Sequence, residues 1–261
     1  IGPGDEVIVP DFTMVASPNA VLLTGAKPVF VDIERDTLCL DISDVERKIT
    51  SRTRVVMPVA LNGRAPDMER LMNICKRKNI RILEDAAQAF GSTWKNQYLG
   101  TFGEIGSYSF STPKIITTGQ GGALVTNEKK LYEKIIRIKD FGRINRNTQD
   151  HDEIGYNFKF TDIQAAIGIA QMAKLKYRLK RKKEMFALYK KELAGLSDVR
   201  FLETDLAQVS PWFIDIFVSD PLVLKKYLQG HNIGSREFYP AIHTTKPYRG
   251  YGVFPNSRWA A

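Results

Sequence analysis

The chain has 261 residues, 43% of them hydrophobic and 26% charged, and its formal net charge is +9. That balance describes a globular protein long enough for one large core or two unequal domains. No apolar run approaches the roughly 20 residues of a membrane helix, and "IGPGDEVIVP" lacks the basic-then-apolar order of a signal peptide.

The chain opens inside a turn rather than at a methionine, and "EVIVP" then predicts a strand. "SPNAVLLTG" predicts a helix opening at Ser17 and ending near Gly25. "KPVFVDI" is a strand, "DISDVERKI" a helix capped by Asp41 or Ser43, and "TRVVMPVAL" a buried strand. "DMERLMNICKRKN" has helical spacing, and "IRILEDA" is a strand ending in two acids. "IGSYSFS" and "GGALVTN" are two more strands, spaced tightly enough for one antiparallel excursion. "EKKLYEKIIRIKDFG" is an amphipathic helix closing at Gly142. Alternating strands and helices with near-continuous Val/Ile runs predict a mostly parallel α/β sheet covered on both faces.

Beyond a polar loop over residues 145–152, "FTDIQAAIGIAQMAKLKYRLKRKKEMFALYKKEL" predicts one long helix of about thirty residues, suited to bridging two domains. "FIDIFV", "PLVLKKYLQGHNI" and "SREFYPAIH" then read as strand, helix, strand. The expected division is a large domain over 1–165, a connecting helix over 166–195, and a small α+β domain over 196–261 that stops early. With the abrupt start, this reads as a chain missing both ends. Repeats and low-complexity segments are absent.

Much of the positive charge lies in "KLKYRLKRKK", Lys174 to Lys183, interleaved with apolar residues. It is expected to be a solvated helix face rather than a nucleic-acid surface, although a positive field favours anionic substrates. The two cysteines, Cys39 and Cys75, are expected to be reduced thiols. Three scattered histidines argue against a metal site.

In open α/β sheets, ligands bind beyond the carboxyl ends of the strands. Two segments meet that condition. In "EDAAQAFG", Glu84 and Asp85 end a buried strand and need partners. One of them caps a following helix, or Asp85 pairs with a buried cation such as a protonated cofactor nitrogen; Gln88 is expected on the same helical face. In "SYSFSTPKIITTGQGGALVTN", Lys114 follows a proline among hydroxyls (Ser109, Ser111, Thr112, Thr117, Thr118) and glycines. Hydroxyls and free amides suit a phosphate, and a desolvated lysine is a nucleophile toward carbonyls. Taken alone, the loop reads first as a turn with a solvated lysine.

Four segments together go further. "VIVPDFTMVASPNAVLLTGAKPVFVDI", "ILEDAAQAFGS", "SYSFSTPKIITTGQGGALVTN" and "GYNFKFTDIQAAIG" occur in this order. They resemble the DegT/DnrJ/EryC1/StrS sugar aminotransferases, enzymes of fold type I dependent on pyridoxal phosphate. "PVALNGRAPDM", "STPKIITTGQGG" and "IGYNFKFTDIQAA" look like the perosamine-forming branch, which aminates C4 of a GDP-linked 4-keto-6-deoxy sugar with glutamate as donor.

The resemblance implies that Lys114 is the Schiff-base lysine and then the proton carrier, and that Asp85 keeps the pyridine nitrogen protonated. It implies Gln88 at the ring hydroxyl, Ser109 at the phosphate, and Met14 against the ring at a position often aromatic in the family. Asn157 is expected to reach the phosphate from the partner subunit of a homodimer with shared sites. Arg236 and His243, in "GSREFYPAIH", are expected either to contact substrate or to pack the small domain. The family's upstream Gly-Thr/Ser phosphate turn is missing from this sequence. A dehydratase of the same family, which typically has histidine for the lysine, and a non-catalytic homologue are the remaining readings. The enzyme is expected in the cytoplasm.

Overall fold

The run "EVIVP" forms β1 (Glu6–Pro10), buried at every position because it has a parallel neighbour on each side. The computed structural model describes residues 1–145 and 147–261. After β1 come α1 (Ala16–Leu23), β2 (Lys27–Val31), α2 (Ile42–Lys48), β3 (Thr53–Val56), α3 (Met68–Lys78) and β4 (Arg81–Asp85). A small hairpin, β5 (Thr93–Trp94) and β6 (Gln97–Tyr98), precedes β7 (Ile105–Ser109) and β8 (Gly122–Val125). The main sheet runs β2-β1-β3-β4-β7-β8. Its first five strands are parallel, and β8 returns antiparallel to β7. A parallel sheet with one antiparallel edge is the expected α/β architecture.

Alternation along the strands divides the core. Ile8, Val56 and Ile82 face α2 and α3, packing with Ile42, Val45, Met68, Leu71 and Ile74. Val7, Val9, Val55 and Met57 face the other way, toward Val21 of α1 and toward Ile242, Tyr248 and Phe254 near the end of the chain. Residues 242–254 thus cover one face of the central sheet. Two helices open on the expected kind of cap: Asp41 accepts from the Ser43 N–H, and Asp67 from the Arg70 N–H. Asn79 closes α3 in the left-handed conformation, with φ 53°. α1 opens one residue earlier than expected and has no side-chain cap.

α4 (Lys129–Ile138) forms as the amphipathic pattern predicts. The expected thirty-residue helix does not. It is two helices, α5 (Asp162–Met172) and α6 (Leu175–Glu192), separated at Ala173 and Lys174. α5 opens on a capping box between Thr161 and Gln164. Neither residue at the break disfavours a helix. Packing overrides propensity there: Leu175 and Leu179 lie on Ile115, Ile116 and Trp212, and Arg178 donates to the Ile115 carbonyl.

Two later expectations also change. β9 (Val199–Arg200) and β10 (Phe217–Val218) make only a two-residue ribbon, so little of "FIDIFV" is strand; α7 (Pro221–Gly230) follows as expected. "SREFYPAIH" forms no strand. Pro240 removes a ladder donor, Phe238 and Tyr239 pack against the cluster around Phe12 and Leu61, and the Ile242 N–H goes to the Asp11 carbonyl. α8 (Pro255–Ala260) closes the chain. Among the described residues, no helix is long and apolar enough to cross a membrane.

Candidate active site

Because β1, β3, β4 and β7 are parallel, their carboxyl ends share one edge of the sheet. That edge collects Asp11–Met14, Pro58–Asn62, Asp85–Gln88 and the loop from Ser109 to Lys114. Asp85 is fixed by its own backbone: its N–H donates to the Pro58 carbonyl at 2.9 Å, and its carbonyl accepts from the Ala60 N–H at 3.0 Å. The carboxylate is held at both oxygens. The Ser17 hydroxyl donates to Oδ2 at 2.8 Å, and the Ala87 N–H to Oδ1 at 3.1 Å. Ser17, expected as a helix cap, serves Asp85 instead.

Neither acid caps a helix, because residues 86–92 form turns. Glu84 is a structural anchor, accepting from the N–H groups of Gly100, Phe102 and Gly103. Its burial pushes the carboxyl pKa up against the pull of those donors. Gln88 is placed by a long-range contact rather than by a helical face. Its Oε1 accepts from the Asn62 N–H at 3.0 Å, which turns its amide nitrogen toward the Tyr239 hydroxyl at 3.5 Å.

Asn62 is the hub of this wall. It is fully buried and left-handed at φ 51°. Its Oδ1 accepts from the N–H groups of Trp212 and Phe213, and its Nδ2 donates to Asp215. Asp215 also takes the Arg64 guanidinium in a buried pair at 2.6 Å. Gly63, at φ +82°, completes the turn; a Cβ there would sit 2.6 Å from Ser92 Oγ.

Lys114 is partly buried. Its Nζ lies 3.7 Å from the centre of the Trp212 ring. Burial depresses its pKa to about 8; Asp85 opposes that shift and Arg236 adds to it. The amine therefore stands within electrostatic reach of both. Ser109 Oγ donates to Ser111 Oγ at 3.2 Å at the mouth of the loop. The threonine hydroxyls are committed within the loop: Thr112 to the Gly119 carbonyl, Thr117 to that of Phe110, and Thr118 to that of Gln120. They shape the turn rather than face a ligand. The basic run of α6 is not simply a solvated face either, since Arg178 reaches the Ile115 carbonyl and Lys182 that of Trp212.

The remaining expected residues divide. Met14 is exposed beyond the end of β1, its sulfur 3.2 Å from the Ala16 nitrogen. Arg236 is exposed but close enough to influence Lys114 and Tyr239. His243 is bound to Asp11, which receives the backbone N–H at 2.8 Å and lies 2.6 Å from ring Nδ1. Asn157 is exposed, bridged to Asp140 and distant in sequence from the rest. No cluster of three metal-ligating side chains occurs among the described residues. Local pattern marks Ser17 only as a helix start and does not mark Asn62, Trp212 or Tyr239 as site residues, because each reaches the site through a contact far along the chain.

A partly buried amine, a rigidly held carboxylate that favours its charge, serine hydroxyls and a guanidinium within electrostatic reach make a donor set that fits pyridoxal phosphate. The comparisons agree. The sequence pattern of the DegT/DnrJ/EryC1/StrS aminotransferase family matches residues 1–261. A GDP-perosamine synthase of Escherichia coli O157:H7 is 40% identical over 251 residues, covering 95% of this chain and 69% of that protein. One from Vibrio cholerae is 36% identical over 253 residues, with the same coverage. Among solved structures, S. venezuelae DesV superposes with a TM-score of 0.92 at 33% identity, over 100% of this chain and 72% of that one. The PLP form of the sugar aminotransferase Spr1654 from Streptococcus pneumoniae does so with a TM-score of 0.92 at 28% identity, over 100% and 74%.

Proposed function

This chain belongs to the DegT/DnrJ/EryC1/StrS family of pyridoxal-phosphate-dependent sugar aminotransferases, and we propose that it moves an amino group from glutamate to the C4 keto carbon of a GDP-linked 4-keto-6-deoxy sugar. The observation that carries the chemistry is that parallel β4 and β7 bring Asp85 and the Lys114 loop to one carboxyl edge of the sheet, where Asp85 favours the charged amine. The substrate reading is supported by the likeness to GDP-perosamine synthases over 95% of the chain. Bound pyridoxal phosphate supplies a carbonyl for the amine and a ring that accepts electrons.

In this reading Lys114 would hold the cofactor covalently and, as a free amine, would carry the proton between the two carbons that flank the transferred nitrogen. A pKa near 8 lets its amine take and give a proton near neutrality. Asp85, kept in one orientation by Ser17 and Ala87, would hold a proton on the ring nitrogen. Gln88 would donate to the ring hydroxyl, its oxygen being already engaged by Asn62. Ser109 would bind phosphate, Met14 would lie on the ring face, and Arg236 would meet an anionic part of a substrate. His243 holds the substrate-side segment in place through Asp11.

The protein acts as a homodimer in the cytoplasm, with Asn157 supplied across the interface. Apolar side chains are exposed on either side of Asn157 and in the helix that follows: Tyr156 and Phe158 stack in the open, 54% and 68% exposed, and Ile163 and Ile169 of α5 are 77% and 73% exposed. Exposed apolar area of that kind marks an interface.

The test is the visible absorbance of cofactor linked to protein, present in the natural chain and lost in Lys114→Ala, together with glutamate-dependent amination of the GDP sugar. Identical spectra for the two proteins would overturn the assignment. Amination of UDP but not GDP sugars would overturn the substrate. Mixing Lys114→Ala with Asn157→Ala chains should restore activity if the sites are shared.

A further inference from the structure

Trp212 comes from the segment before β10, about a hundred residues after Lys114, yet every polar group it owns is tied down. Its backbone N–H donates to Asn62 Oδ1 at 2.8 Å. Its carbonyl accepts from Lys182 Nζ at 2.6 Å. Its indole N–H donates to the carbonyl of Pro113, the residue before Lys114, at 2.6 Å. The ring is 7% exposed and belongs to the cluster of Ile115 and Ile116, so it packs on the residues that follow the lysine as well. Held this way, it presents its face to Lys114 Nζ at 3.7 Å. An ammonium within about 6 Å of an indole centre is attracted by the ring's quadrupole.

A lysine side chain has four rotatable bonds and loses much rotamer freedom when it is held. A free amine that is to carry protons needs a fixed place to be held. We propose that Trp212 is a positioning residue for Lys114, its indole face providing the seat of the free amine and its N–H fixing the backbone on which that lysine stands. The role rests on Lys114 being the reactive amine. It adds an aromatic partner to the polar ones, and it makes the segment before β10 part of the site. The indole bond sets the distance between ring and loop, while Lys182 and Asn62 set the ring's depth. The charged groups facing Lys114 are Asp85 from β4, which favours the ammonium, and Arg236 from the segment after α7, which disfavours it. The ring face acts in the same direction as Asp85.

The test compares Trp212→Phe with Trp212→Leu in the full chain freed of cofactor. Both lose the indole bond to Pro113 and both keep apolar bulk over the amine, so those effects cancel; only Phe keeps an aromatic face. The readout is the midpoint of Lys114 acylation against pH, followed by mass spectrometry of the peptide carrying it. Trp212→Leu should lower the midpoint by about one pH unit relative to Trp212→Phe, the shift equivalent to a cation–π contact at a partly desolvated site. Equal midpoints for the two variants overturn the proposal. Should the Leu variant fail to fold, phenylalanine against pentafluorophenylalanine at 212 preserves ring shape and reverses the quadrupole, and the same lowering is expected. The cofactor-linked absorbance of the natural chain is measured separately. Its absence would remove the assignment of Lys114, while a midpoint insensitive to the ring would remove only the role of Trp212.

Discussion

The Ser17 hydroxyl donates to Asp85 Oδ2 at 2.8 Å, joining the second residue of α1 to the end of β4 across 68 positions of sequence. Thr13 Oγ1 lies 3.2 Å behind it, so the carboxylate rests on a short chain of hydroxyls. Hydrogen bonds to a charged group contribute about 1.5–3 kcal/mol. Ser17→Ala should therefore weaken cofactor binding by roughly tenfold or more while leaving the fold intact, as an absorbance titration would measure. Unchanged affinity would show that Asp85 needs no help from α1.

Lys114 makes stability depend on pH. Its pKa is about 8 in the folded chain against an ordinary 10.5. Below about pH 8 folded and unfolded chains both carry the charge, and the folded one bears the whole desolvation cost. Between those values the unfolded chain binds more protons, so stability rises with pH. Lys114→Met should be more stable than the natural chain at pH 7, and the gap should close as pH rises toward 10, in urea melts without cofactor. A gap constant with pH would contradict the burial of the amine.

The buried Arg64–Asp215 pair ties the "NGR" turn to the segment carrying Trp212. Removing one member of such a pair leaves a charge without compensation and costs about 3–5 kcal/mol. Asp215→Ala should lose that much stability in denaturant unfolding and should also disturb Gln88 through Asn62. Replacing both Arg64 and Asp215 with apolar residues of similar volume should cost less than the single change.

Cys39 and Cys75 are buried, and burial pushes both thiols up to about 12. Neither should react with a thiol-selective disulfide reagent at pH 8 in the folded protein, and both should react in guanidinium. A fast native reaction would mean that α3 or the segment before α2 opens readily.

Local pattern was enough to determine the parallel α/β sheet, the return of β8 beside β7, a cap for α2 at Asp41 or Ser43, and the candidates Lys114, Asp85, Gln88 and Ser109. Strand alternation, capping chemistry and family motifs are properties of neighbouring residues, so one chain read in order displays them. The break between α5 and α6, the irregular path of residues 234–241 and the contacts that hold the site were decided only in three dimensions. Nothing at Ala173 and Lys174 disfavours a helix; the seat of Leu175 and Leu179 on the lysine loop interrupts it. Ser17 has the composition of a cap, yet its hydroxyl goes to Asp85 because the parallel strands bring both to one edge. Asn62 lies in the "NGR" turn and Trp212 carries no local mark, and neither is shown locally to belong to the site. Their roles come from hydrogen bonds spanning about 150 residues, which exist only once the segment before β10 folds back onto the sheet.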